Sequence, residues 1–171
     1  MTPEQGVAVC TGALALATFG LAVATVRLEW AWKQSAAQQL GLQTWLTLQA
    51  RFDTREMKHC RSKLAHQLST YTSATHGEIV EDLFDLFEDL AAIKGTGLLN
   101  QQLAESTFSF YVNYWWRASK PYIDRERMIH GDDKTLFAGF EKVVADWQHL
   151  DPEITDDKLK RFLENEKALG A

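Results

Sequence analysis

Hydrophobic and polar residues follow three patterns along this chain, and each predicts a different kind of element. Residues 6–26, GVAVCTGALALATFGLAVATV, contain no charge and no proline. Residues 27–71 are rich in Leu, Ala, Gln, Lys and Arg, which favour helix, and Gly41 is their only glycine. From residue 78 onward apolar residues recur at helical spacing, and no segment shows the period of two typical of a strand. The pattern predicts an all-α protein.

The uncharged segment is long enough to cross a bilayer. A hydrocarbon core about 30 Å thick needs about 20 helical residues, so we predict a single N-terminal transmembrane helix over residues 6–26. A cleaved signal peptide is disfavoured because the preceding residues, MTPEQ, contain Glu4 and no Lys or Arg. A buried globular helix, the remaining alternative, rarely stays uncharged for so long.

Residues flanking the predicted span indicate an orientation. Basic residues close to a span tend to remain in the cytoplasm, and Arg27 and Lys33 follow the segment while none precedes it. Trp30 and Trp32 suit the aromatic belt at the membrane interface. We therefore expect a single-pass protein of the bacterial inner membrane, with its N-terminus outside and its C-terminal domain in the cytoplasm.

Small residues recur along one side of the predicted span. Ala13, Ala17, Gly20 and Ala24 are spaced at i, i+4, i+7 and i+11. Such residues let helices approach closely in lipid. The seam predicts packing against other transmembrane helices of a membrane complex or against a second copy, within the lipid bilayer. The alternative is that Ala and Gly are simply common in such spans.

The rest of the chain predicts a bundle of about five or six helices. We expect a short tail over 1–5, the transmembrane helix over 6–26, a juxtamembrane helix or stalk over 27–50 and a cytosolic helical domain over 51–171. The first long helix either breaks near Gly41 or continues as a stalk. The segment EIVEDLFDLFEDLAAI is the clearest amphipathic helix, and Gly95 and Gly97 end it.

Helix boundaries in the last third follow from capping residues and prolines. Asn100 suits the N-cap of a helix that should end before Pro121, since the residue preceding a proline disfavours helical angles. Asp132 or Asp133 is expected to cap the next long helix, and Thr155 a last short helix.

Composition excludes some classes of function. A net charge of −5 gives no basic balance for binding a phosphate backbone, so nucleic acid is not expected as a partner. Cys10 and Cys60 show neither disulfide-rich nor zinc-like spacing. We predict a non-enzymatic protein with no catalytic, cofactor-binding or metal residues.

Two groups of polar residues could suggest chemistry. Glu56 and His59 form an ExxH motif of the di-iron type, but Asp146 with His149 is only an imperfect second copy. The acidic residues of EDLFDLFEDL lie on the polar side of an amphipathic helix. We interpret them as a solvated surface, with a docking patch or a cation site as alternatives.

An aromatic segment, FSFYVNYWWRASKPYIDRER, is the most unusual stretch of the chain. Phe108, Tyr111 and Trp115 share one helical stripe and are expected in the core. A small-molecule pocket is one alternative for this region, and a protein interface is another, because aromatic residues and Arg dominate interface hot spots. The predicted partner surface consists of Phe110, Tyr114, Arg117, Arg125 and Arg127.

The order of these segments resembles a family of short bacterial proteins. The resemblance rests on RFDTREMKHCRSKLAHQL, DLFDLFEDLAAIKGTGLLN, the YWW…P…R block and FEKVVADW, over about residues 45–148. It implies one N-terminal span and a cytosolic helical domain, and no activity. The function expected is a non-catalytic accessory or scaffolding subunit of a membrane complex. The alternative is a self-oligomerising membrane-anchored signalling or stress-response module.

Overall fold

The computed structural model describes residues 3–71, 79–150 and 153–170, with side chains except those of residues 3–19, 22 and 34. Every regular element in these ranges is helical, so the all-α prediction is confirmed. The six α-helices are α1 (Pro3–Asp53), α2 (Arg55–Thr70), α3 (Asp82–Gly95), α4 (Gln101–Ile129), α5 (Ala138–Trp147) and α6 (Asp156–Lys167). Two short 3-10 helices, Gln148–Leu150 and Ala168–Gly170, follow α5 and α6.

The predicted transmembrane helix is contradicted. Within the part of the chain that the structure describes, no helix is long and apolar enough to cross a membrane. The span over residues 6–26 and the single-pass inner-membrane location inferred from it are therefore corrected. This segment is the first part of α1. That helix continues without interruption past Val26 through Arg27, Glu29 and Lys33 to Asp53.

Contacts divide the chain into two units, Met1–Leu40 and Gly41–Ala171, with the boundary inside α1. In the first unit, the predicted seam residues Ala13 and Ala17 have side chains outside the described set, and Gly20 and Ala24 are exposed. The predicted interface residues are exposed as well; they are Arg27, Trp30, Trp32 and Lys33. The predicted domain boundaries after residues 26 and 50 both fall within α1.

The second unit begins with the last turns of α1. The helix passes through Gly41 without a break, and this glycine lies against the turn between α3 and α4, where a Cβ would be 2.5 Å from the carbonyl oxygen of Leu98. Further along, Leu48 and Phe52 are buried in the core. The indole N–H of Trp45 donates a 3.1 Å hydrogen bond to Thr107 of α4. The end of α1 is thus an integral part of this unit.

Side-chain caps begin three of the helices. Thr54 accepts a hydrogen bond from the N–H of Met57, Asn100 from Leu103, and Thr155 from Lys158. The caps predicted at Asn100 and Thr155 are therefore present. Each satisfies a backbone donor that has no partner within its own helix.

Two predicted boundaries are wrong. Helix α4 does not end before Pro121 but includes it and continues to Ile129. The proline is exposed; it removes the N–H that would bond to the carbonyl of Arg117 one turn earlier, and its ring crowds that carbonyl. Helix α5 has no cap from Asp132 or Asp133, because it begins later, after Phe137 in the left-handed conformation.

The core of the second unit is built from large aromatic and aliphatic side chains. Helix α3 contributes Phe84 and Phe87, which contact Phe140 of α5 at ring-centroid distances of 5.9 and 4.7 Å. Trp115 of α4 and Trp147 of α5 are fully buried. Helix α6 completes this core through Phe162, whose ring centroid is 5.2 Å from that of Trp115. The arrangement brings α4 and α6 together beside two of the predicted partner residues, Phe110 and Tyr114.

Candidate functional site

An exposed phenylalanine marks a groove between α4 and α6. Phe110 is 47% exposed, yet its ring centroid lies 4.4 Å from that of Tyr114 and 5.7 Å from that of Phe162. The groove has a volume of about 430 Å³. We call it the aromatic groove, and its lining includes Phe110, Tyr111, Tyr114, Lys158, Arg161, Phe162, Asn165 and Leu169. Phe110 and Tyr114, both predicted partner residues, are brought together here.

A buried ion pair lies at the base of the aromatic groove. The guanidinium of Arg61 in α2 donates two hydrogen bonds of 2.7 Å to the carboxylate of Glu166 in α6. Both side chains are almost fully buried. The same guanidinium lies 4.1 Å above the centre of the Phe52 ring and 5.0 Å from that of Tyr111. The two hydrogen bonds hold both side chains in place and so fix the shape of the groove at its base. Because the two charges neutralise each other, the pair adds no net charge to the groove.

The rim of the aromatic groove carries two cations of α6. Lys158 donates a hydrogen bond of 2.8 Å to the carbonyl oxygen of Glu153. Arg161 is exposed and forms no ion pair or hydrogen bond within the part of the chain that the structure describes. Its five N–H donors are therefore open to water or to a binding partner.

A second cleft lies on the side of α4 that faces the end of α5. It has a volume of about 510 Å³ and is lined by Asn113, Trp116, Arg117, Val144, Gln148, His149 and Ile154. We call it the Arg117 cleft. Asn113 is buried, and its Nδ2 donates a 3.1 Å hydrogen bond to the carbonyl oxygen of Trp147. The predicted partner residue Arg117 thus borders a different cavity from Phe110 and Tyr114.

The remaining predicted partner residues hold the structure together elsewhere. Arg125 donates a hydrogen bond of 3.4 Å to the hydroxyl of Tyr71. The guanidinium of Arg127 bonds to the carbonyl oxygen of Leu136 at 2.8 and 3.0 Å and to Glu141 at 2.8 Å. The five residues predicted as one surface therefore lie in separate places, and the two last arginines already have partners.

Acidic residues of α3, and one just before it, form specific contacts with other helices. The carboxylate of Glu88 accepts hydrogen bonds from two backbone N–H groups of α5, and Asp89 forms an ion pair with Arg51. Glu81, just before α3, accepts a hydrogen bond from Tyr122. Glu78, part of the same predicted acidic run, lies outside the described residues. The sequence pattern did not predict these contacts. Helical spacing shows which residues share a face of one helix, but it does not show which residues of other helices pack against that face.

Few groups among the residues described are suited to metal binding or to nucleophilic chemistry. Among the side chains that the structure describes, no three from His, Cys, Asp or Glu are placed to hold a metal ion. Asp146, the imperfect second half of the di-iron pattern, forms an ion pair with Lys94. Burial raises the pKa of the Cys60 thiol, and the neighbouring carboxylate of Asp82 raises it further. A thiol with a raised pKa is a poor nucleophile at neutral pH.

Residues 11–147 match the family described as a domain of unknown function, DUF4760. The chain belongs to this family. No curated protein and no solved structure matches it. The matched region includes α2 to α5 and most of α1, and it ends before α6 begins. The aromatic groove is therefore formed partly by residues of the family region, such as Phe110, and partly by the helix that follows it.

Sequence reasoning missed the α6 half of the aromatic groove, although a signal was present. Leu159, Phe162, Leu163 and Glu166 share one face of this helix at the spacing i, i+3, i+4 and i+7. A glutamate on an apolar face predicts a buried carboxylate that needs a cation. What the spacing could not supply was the identity of that cation, because Arg61 is 105 residues away along the chain.

Proposed function

We propose that this chain is a non-catalytic accessory or scaffolding protein that binds a partner protein through the aromatic groove. The observation that carries the proposal is Phe110, which is 47% exposed although it stands on a cluster of aromatic rings. Folding alone gives no reason to leave a phenylalanine at the surface, because transferring it out of water is worth about 1.5–3 kcal/mol. A partner that covers the exposed half of the ring gains roughly half of this energy on binding.

The surroundings of Phe110 resemble the centre of a protein interface. Interface hot spots are enriched in aromatic residues and Arg, and they lie where water can be excluded around them. Here the exposed ring of Phe110 is supported from below by Tyr114 and Phe162, so it loses little side-chain freedom when a partner binds. Arg161 at the rim has unused donors that can orient a carboxylate or a carbonyl of the partner.

The surface around Arg127 is a weaker candidate, because its charge already has partners. Arg127, also on α4, is engaged by Leu136 and Glu141. Exposed residues such as Met128 lie outside the aromatic groove. A binding site is expected where exposed apolar surface and unused polar groups coincide, and the aromatic groove combines both.

The test is site-specific photo-crosslinking in cells, with a photoreactive phenylalanine analogue at position 110. The same analogue at position 128 is the matched control, since Met128 is also an exposed apolar residue of α4. We expect one defined crosslinked partner from position 110 and none of the same mass from position 128. The Phe110→Ala variant should remain folded, with a cooperative thermal transition, and bind the identified partner at least about tenfold more weakly.

Two results would overturn the proposal. One is the absence of a defined crosslink from position 110 in cells that express the chain at its natural level. The other is wild-type affinity of Phe110→Ala for the crosslinked protein. A crosslink between two copies of this chain would identify a second copy as the partner and would support the self-oligomerising form of the same function.

A further inference from the structure

Helix α6 distributes its charges unevenly between the aromatic groove and the rest of its surface. The helix carries four basic and four acidic side chains, so as a whole it is neutral. Its groove-lining residues Lys158, Arg161 and Asn165 follow one another at helical spacing and include two positive charges. Three of its four carboxylates lie outside the lining, and the fourth is that of Glu166.

The carboxylate of Glu166 does not compensate these cations. It accepts two hydrogen bonds of 2.7 Å from Arg61, and both side chains are almost fully buried. Lys158 bonds to a neutral backbone carbonyl, and Arg161 forms no ion pair with any residue that the structure describes. The described lining of the groove therefore presents two uncompensated positive charges, although the chain has a net charge of −5.

The α4 side of the same groove is aromatic. It includes Phe110, which is half-exposed, and Tyr114, whose ring lies 4.4 Å from that of Phe110 between centroids. The groove volume of about 430 Å³ falls within the range of about 300–1,000 Å³ typical of sites for small ligands. An occupant complementary to both sides must carry an apolar group and a negative charge close together.

We infer that the occupant is an acidic segment of the partner protein, in which a large apolar side chain lies next to Asp or Glu. The inference rests on the proposed function and specifies the chemistry of the partner. The apolar side chain covers Phe110. The carboxylates lie against Lys158 and Arg161, and the guanidinium of Arg161 can form two parallel hydrogen bonds with one carboxylate.

A single-stranded nucleic acid also combines negative charge with flat rings. Its phosphates repeat along the whole strand, however, and those beyond the groove would meet the net negative charge of the chain. A short peptide segment carries its few carboxylates only where the two cations lie. The charge distribution therefore favours the peptide.

The probe is the peptide fluorescein-Gly-Glu-Glu-Leu-Phe-Glu-Glu-amide, titrated with the full chain and followed by fluorescence anisotropy. A matched peptide has Gln in place of each Glu. We expect saturable binding of the acidic peptide and at least about tenfold weaker binding of the glutamine peptide. Affinity for the acidic peptide should fall as NaCl is raised from about 50 to about 300 mM, because salt screens exposed charges.

Protein variants separate the two halves of the groove by their kinetics. The double variant Lys158→Gln, Arg161→Gln should associate with the acidic peptide at least about fivefold more slowly, since charges at a rim act mainly on the encounter. Phe110→Ala should mainly speed dissociation, because it removes apolar contact. Lys160→Gln is the matched control; it removes a positive charge from an exposed position of α6 outside the lining and should behave as the wild type.

Four outcomes with the probe would overturn the inference. They are the absence of saturable binding, equal affinity for the glutamine peptide, wild-type association in the double variant, and an equal loss in Lys160→Gln. Tighter binding of a fluorescein-labelled thymidine oligonucleotide than of the acidic peptide would also overturn it, in favour of nucleic acid.

The photo-crosslinking experiment separates this inference from the proposed function. Mass spectrometry identifies the segment of the partner that crosslinks to position 110, and we expect Asp or Glu beside the crosslinked residue. A defined partner that crosslinks through a segment without Asp or Glu would overturn this inference and leave the proposed function standing.

Discussion

Glu88 of α3 accepts a hydrogen bond of 2.7 Å from the backbone N–H of Phe140 in α5. Its second oxygen accepts a bond of 3.2 Å from the N–H of Gly139. These two N–H groups belong to the first turn of α5, and the N–H groups of a first turn have no acceptor within their own helix. Helix α5 has no cap from its own preceding residue, Phe137. A carboxylate from another helix therefore acts as the cap.

Replacing this carboxylate should destabilise the fold. We expect Glu88→Ala to lower the free energy of unfolding by about 1–2 kcal/mol, the usual cost of losing a helix cap. Asp85→Ala is the control, since Asp85 is exposed on the same helix and should change stability by about 0.5 kcal/mol or less. Urea denaturation followed by circular dichroism measures both. Equal losses for the two variants would contradict the capping role.

The ion pair between Arg61 and Glu166 yields a second prediction. Either Arg61→Met or Glu166→Leu alone leaves a buried charge without its partner, and we expect a loss of about 3–5 kcal/mol for each. The double variant removes both charges and should be more stable than either single variant. The double-mutant cycle from urea unfolding gives the coupling energy. Additive losses would show that the two charges do not stabilise each other.

Alkaline pH provides a third prediction. Burial raises the pKa of the Tyr122 hydroxyl, and its hydrogen bond of 2.5 Å to the carboxylate of Glu81 raises it further. The folded chain therefore keeps this proton at a pH where the unfolded chain, with a tyrosine pKa of about 10, has released it. Stability from this group is complete below about pH 10 and falls as the pH rises above that value.

The variant Tyr122→Phe isolates this contribution. It removes the titrating hydroxyl, so its urea midpoint should fall less steeply between about pH 9 and pH 11 than that of the wild type. Tyr111→Phe is a control for the general effect of alkali, since Tyr111 is only partly buried. Parallel curves for the wild type and Tyr122→Phe would contradict the prediction.

Gly41 supports a fourth prediction, based on space. A methyl group at this position would lie 2.5 Å from the carbonyl oxygen of Leu98, so backbone must move to admit it. We expect Gly41→Ala to lower the free energy of unfolding by about 1–3 kcal/mol, although alanine is the better helix former. Gly20→Ala, where no described atom lies within 4 Å of the added carbon, should not be destabilising. Thermal unfolding of both variants makes the comparison.

Local signals in the sequence predicted the helical class and two of the caps. Asn100 and Thr155 could be recognised because a cap and its helix are adjacent in sequence. The prediction of a span over residues 6–26 was wrong, since no helix among the residues described is long and apolar enough to cross a membrane; the segment is the first stretch of a longer helix. Pro121 predicts a helix end, but this exposed proline is accommodated within α4.

The candidate sites were harder to predict than the fold. Phe110 and Tyr114 could be identified because their segment is unusually rich in aromatic residues. Their neighbours in α6 are separated from them by a long stretch of chain. Arg125 and Arg127 looked available because an arginine in a sequence shows no partner, whereas the fold supplies Tyr71, Leu136 and Glu141. Contacts between distant segments are a property of the tertiary structure, and spacing along one helix cannot reveal them.

The ion pair between Arg61 of α2 and Glu166 of α6 also has a consequence for the synthesis of the protein. A ribosome that has just added Arg61 must add 105 further residues before the matching carboxylate exists. Likewise, the hydroxyl of Ser62 cannot donate to the carbonyl oxygen of Lys167 until 105 further residues have been added. A nascent chain of intermediate length must therefore keep this arginine hydrated and α2 uncovered. Chaperones that act during translation would meet this surface, which the finished protein hides.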